Sequence, residues 1–199
     1  MEFFKKIKNN ENFCLITLIV GSIFTTSYCF FKNPVTHTAS MIGREYPLHF
    51  KLWGILSVLA ILFNVQFMYK KYNYHSKLSN TFLLFGCACI LATVYVPSTE
   101  TMGLQLIVHW STALLFAFFN ALSITMFLFN KSKESGRVKL TLITFLSTML
   151  FMLGWLLVFG KNGVIEMIPT IVGFLLLYVF NYTDMYIEKN KENKYAAKI

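Results

Sequence analysis

Six long apolar stretches alternate with short polar connectors along the chain, at residues 13–31, 52–69, 80–96, 104–129, 140–159 and 164–181. Each approaches or exceeds the ~18 predominantly apolar residues that a helix needs to cross a bilayer. A bilayer interior holds no water for bare peptide groups, so stretches of this kind satisfy their own backbone as helices. The pattern predicts an all-α membrane protein, a six-transmembrane-helix bundle. The connectors are an outer loop over 32–51, the turns KKYNYHSK and PSTETMG, the connector NKSKESGRVK, the tight turn GKNG and a polar tail over 182–199. No soluble domain remains once the spans are removed, so residues 1–199 read as a single transmembrane domain. The N-terminus also has the outline of a signal peptide. Tyr28 and Cys29 stand where cleavage needs small residues, and the first stretch reads as an uncleaved span.

Composition supports this reading. Hydrophobic residues make up 56% of the chain and charged residues only 14%, against roughly a quarter in soluble domains. A net charge of +9 would suggest nucleic acid in a soluble protein, but its distribution points elsewhere. Of 18 Lys and Arg residues, 14 fall in the N-terminal arm, KKYNYHSK, NKSKESGRVK and the tail, while Lys32, Arg44, Lys51 and Lys161 fall on the opposite side. Cytoplasmic loops are the ones rich in Lys and Arg, which places both termini inside the cell membrane and residues 32–51 outside. The basic inner loops then meet anionic inner-leaflet lipid, and nucleic acid is not a partner. The N-x-S/T matches at Asn130 and Asn181 fall on the inside, out of reach of glycosylation. Cys14, Cys29 and the C-x-C pair Cys87 and Cys89 lie in spans and read as packing residues. No internal repeat or small-residue dimer face is visible, and a membrane-protein partner or a homo-oligomer remains open.

With this orientation, the polar residues sort by depth. His109 opens the fourth span and Glu166 lies about one turn into the sixth, near the outer face. The loop on that face carries His37, Ser40, Arg44, Glu45 and His49. Intramembrane carboxylates and imidazoles face a bundle interior and find partners there, so Glu166 is expected to pair with His109 or Arg44. The inner half offers Asn64, Gln66 and Asn120, residues that join helices. Ser40, Arg44, His109 and Glu166 are thus the candidate ligand-binding residues, with His37, Glu45 and His49 as secondary ones. Arg44 would meet a lipid phosphate as a planar fork. By residue type, Ser40, His109 and Glu166 would also serve a membrane-embedded lipid hydrolase or transferase, although no G-x-S-x-G elbow surrounds Ser40. His37, His49, His109 and Glu166 make a three-His-one-carboxylate set that zinc would take, although no two stand at helical i, i+4 spacing. A non-catalytic scaffold that uses its basic inner loops is the remaining alternative.

The segment P-x(5)-S-x-x-G from Pro34 to Gly43 is followed by Tyr46-Pro47 and an apolar span. Together with His109 at the start of span four and Glu166 early in span six, it resembles the DRAM/Sfk group of six-span membrane proteins. That group includes proteins that remodel the lipid of GPI anchors, and bacterial relatives of unknown function. The resemblance implies a six-helix bundle with an outward-facing polar site associated with lipid, and it implies no particular reaction.

Overall fold

The computed structural model describes residues 10–96, 98–99, 103–183 and 185–186, with the side chain of Cys29 excepted. The basic N-terminal arm, Pro97 and the tail from 187 onward lie outside the described residues. Within them every regular element is a helix: α1 Glu11–Phe31, α2 Ala39–Glu45, α3 Pro47–Lys71, α4 Lys77–Tyr95, α5 Leu104–Lys131, α6 Gly136–Phe159 and α7 Gly163–Tyr182. Five of these, α3 to α7, are long and apolar enough to cross a membrane. α1 is a further helix of 21 residues.

The helix boundaries follow local chemistry. Asn10, Thr38, Ser76 and Asn162 each turn a side-chain oxygen onto an amide of the first turn that follows, at α1, α2, α4 and α7, which satisfies a donor that has no partner within the helix. α3 starts at Pro47, whose missing N–H costs nothing at a first position. α6 ends at Gly160, whose φ of 71° favours a residue without a Cβ. Asn162 then caps α7, so the tight turn GKNG is built from one glycine and one cap.

α3 is the central helix: 61% of its most apolar 18 residues are buried, against 17% for α6. It packs against α1, α2, α4 and α7, while α4 pairs with α5 and α6 closes against α5 and α7. Small residues allow the closest approaches. A Cβ on Gly21 would stand 2.8 Å from Cβ of Ala60, and one on Gly54 would stand 2.5 Å from Cγ1 of Val94. Exposed residues of α6 include Leu140, Ile143, Leu150, Leu153, Leu157 and Val158, all apolar, as suits a helix that meets hydrocarbon. Cys14, Cys87 and Cys89 are buried thiols.

Candidate functional site

The short helix α2 marks one end of the bundle. The pattern alone gave residues 32–51 as a loop, and 39–45 and 47–51, more than half of that segment, are in fact helical. Thr38 accepts the Met41 amide proton at 3.1 Å and starts α2, and α3 begins two residues after α2 ends. The segment is held down by α7. The Val164 amide donates to the Pro34 carbonyl at 3.2 Å. Gly163 lies so close to the loop that a Cβ there would stand 2.5 Å from the His37 carbonyl oxygen and 2.9 Å from that of Pro34. Glu166 completes this clasp. One carboxylate oxygen accepts the Ala39 amide proton at 2.5 Å, and the other lies 3.1 Å from the Lys161 ammonium. A carboxylate at the start of a helix meets unpaired amides and the positive end of their dipoles, so α2 is held partly by a residue of a distant helix.

Glu166 therefore pairs with neither of the partners expected from sequence. His109 is 1% exposed and its Nδ1 lies 2.9 Å from the Val96 carbonyl oxygen. A carbonyl can only accept, so Nδ1 carries the proton and Nε2 is left as an acceptor; that atom is buried without a partner among the described residues. The Phe50 ring lies 6.3 Å from the imidazole. Glu45 pairs with Lys32 at 3.3 Å. His37 bonds through Nδ1 to the Thr36 hydroxyl at 2.8 Å.

His49 sits against Phe24, Tyr28 and Phe31, with ring centroids 5.2, 5.1 and 4.8 Å away. Its Nε2 lies 3.0 Å from Ser27 Oγ. The Ser27 proton goes to the Phe24 carbonyl at 2.7 Å, so Nε2 is the donor of the pair. Among the described residues no three His, Cys, Asp or Glu side chains gather as a metal would require. Ser40 is buried and shares a hydrogen bond with Thr38 at 3.0 Å.

Ser40 and Arg44 do come together, in a cleft of about 270 Å³ between α2, the first turns of α3 and the last turn of α4. Lys51 joins them, with its ammonium 5.7 Å from the centre of the Tyr95 ring. Phe50, Val94 and Val96 supply apolar lining, and Ser98 adds a second hydroxyl. His109 bonds the carbonyl of Val96 and touches Phe50, so it stands next to two of the lining residues. Sequence reasoning counted Lys51 only as a charge. Its signal was its place one turn after Pro47, at the polar end of an apolar stretch. Comparison with protein-family models, curated proteins and solved structures gives no match. The geometry of the cleft is what bears on function.

The opposite end of the bundle is richer in buried polar contacts than its sequence suggested. Asn64, fully buried, donates to the carbonyls of Cys14 at 2.9 Å and Ala60 at 2.8 Å. It also accepts from Tyr182 at 2.7 Å, and its carbonyl accepts from Asn181 at 3.0 Å. Lys71 donates to the Asn181 carbonyl at 2.7 Å and Tyr72 to that of Phe180 at 3.1 Å. Next to them, the Tyr69 hydroxyl lies 2.7 Å from that of Ser123, which donates to the Ser79 carbonyl at 2.8 Å. These contacts join helices to helices.

Proposed function

We propose that this chain is an integral multi-pass protein of the cell membrane, with α1 as a sixth span, both termini inside, and the cleft at the α2 end receiving a lipid headgroup at the outer leaflet. The observation that carries this reading is the make-up of the cleft. Two cationic side chains and the hydroxyls of Ser40 and Ser98 share it with Phe50, Val94 and Tyr95. A headgroup needs that combination: polar groups for phosphate and hydroxyl, and apolar surface for the glycerol and upper acyl carbons. Its place at the ends of apolar helices gives it the right depth, and the bias of Lys and Arg toward the other end makes this the outer face.

The test is native mass spectrometry of full-length protein extracted gently from its host membrane. The expected spectrum shows a phospholipid adduct on the wild type that is depleted in Lys51→Ala and absent in the double variant Arg44→Ala, Lys51→Ala. An adduct undiminished in the double variant would refute the cleft as its site. A bare wild-type protein would refute headgroup binding and favour the scaffold alternative.

A further inference from the structure

One wall of the cleft is the last turn of α4. Val94, Tyr95 and Val96 lie at the end of α4, where the last carbonyls of a helix lack intrahelical partners and the final turn frays. Two polar ties from α5 reach this turn. His109 donates from Nδ1 to the Val96 carbonyl at 2.9 Å. One turn further along α5, Thr112 Oγ1 accepts a proton from Thr93 Oγ1 at 2.8 Å. On the other side, Val94 fits the notch left by Gly54 of α3, where an added Cβ would stand 2.5 Å from it. The last turn of α4 is therefore gripped between α3 and α5, and Tyr95 is brought over the Lys51 ammonium.

We propose that His109 is a positioning residue for the cleft: through its Nδ1–H bond to Val96, and with Thr112 beside it, it holds the last turn of α4 where Tyr95 and Val96 can face α2 and Lys51. The proposal rests on the headgroup-cleft reading for its functional meaning, while the positioning itself can be measured without a ligand. His109 touches the wall and does not line the cleft, so its effect on binding is indirect. Its burial also explains why a histidine is needed there. The ring fills space beside Phe50 and still delivers a donor to the terminal carbonyl, which an aliphatic residue cannot do.

The experiment uses full-length protein in detergent and the variants His109→Leu, His109→Asn and Thr112→Val. Asn is chosen because its amide nitrogen stands near the position of the imidazole Nδ1. One readout is hydrogen exchange of the Tyr95 and Val96 amides. The other is retention of added dihexanoyl phosphatidylglycerol in native mass spectra. For His109→Leu, exchange at these two amides is expected to speed up roughly threefold to tenfold, the factor that one net hydrogen bond controls, with probe retention falling alongside. His109→Asn should recover most of both, and Thr112→Val should shift both in the same direction as His109→Leu. Unchanged exchange in His109→Leu overturns the proposal, and so does a folded His109→Asn as impaired as the leucine variant. If His109→Leu does not fold, Thr112→Val and His109→Asn decide by the same criteria. If exchange responds as expected but the wild type retains no probe, positioning stands and the headgroup reading fails. If the wild type retains probe and exchange does not respond, positioning alone fails.

Discussion

Replacing Gly163 by Ala tests the clasp between α7 and the α2 segment with a single methyl group. The added carbon would lie 2.5 Å from the His37 carbonyl oxygen, 2.9 Å from that of Pro34 and 3.1 Å from the Pro34 Cα. All three are backbone atoms, so no side-chain rotation relieves the contact. Ordinary non-bonded contact lies near ~3.5 Å, and the two segments must therefore part by about 1 Å. Forcing an extra carbon into a close-packed site costs about 1–3 kcal/mol. The same movement stretches the Val164-to-Pro34 hydrogen bond, 3.2 Å in the native chain, and adds about 1 kcal/mol. Better helix propensity returns up to about 1 kcal/mol, which leaves a net loss of roughly 1–4 kcal/mol.

Gly154→Ala and Gly173→Ala are the controls, because a Cβ at either meets nothing within 4 Å. Both should be neutral or stabilising by up to about 1 kcal/mol. Unfolding titrations in mixed micelles, followed by tryptophan fluorescence, measure all three variants on one scale. A Gly163→Ala protein as stable as the two controls would show that the close approach to Pro34 and His37 is wrong.

Three further expectations concern other parts of the molecule. Glu166→Gln keeps an acceptor for the Ala39 amide and gives up the negative charge, with its ion pair to partly exposed Lys161 and its pull on the α2 amides, a loss of about 0.5–1.5 kcal/mol. Glu166→Ala removes both and should cost about 1.5–3 kcal/mol in the same titration; equal losses would contradict the capping role. Asn64→Leu leaves the Tyr182 hydroxyl without its buried acceptor and removes the Asn64 bonds to Cys14 and Ala60, so a loss of about 2–4 kcal/mol is expected, larger than that of exposed-face changes on α6 such as Leu157→Ala. For orientation, cysteines placed at exposed Val35 and Lys133 report on opposite ends of the bundle. An impermeant maleimide should label Val35→Cys on intact cells and Lys133→Cys only after lysis, and the reverse pattern would invert the topology.

The apolar helices were legible because burial in hydrocarbon leaves its mark on every residue of a long stretch. α2 was not, since seven residues that include Gly43 make a poor helix alone. Thr38 caps it, and the second support comes from Glu166, which bonds the Ala39 amide from 127 positions away. Ser40 and Arg44, four positions apart in α2, do line one cleft. Partner choice was not readable: Glu166 binds a backbone amide, and His109 a backbone carbonyl. Every residue but proline has both groups, so residue type does not signal them. The same reason hid the far end of the bundle, where Asn64, Lys71 and Tyr72 all reach carbonyls. Residue types there suggested joinery between helices, but not its density.

The position of α7 also sets an order for assembly. It supplies Glu166 to α2 at one end, and Phe180, Asn181 and Tyr182 to α3 at the other, through bonds that cross 108 to 127 positions. None can exist until α7 has been synthesised. The bond from Asn64 to the Cys14 carbonyl, by contrast, joins α1 to α3 and needs only the first part of the chain. A chain cut before residue 163 therefore keeps the Asn64-to-Cys14 tie between α1 and α3 but lacks these bonds by which α7 latches the two ends of the bundle.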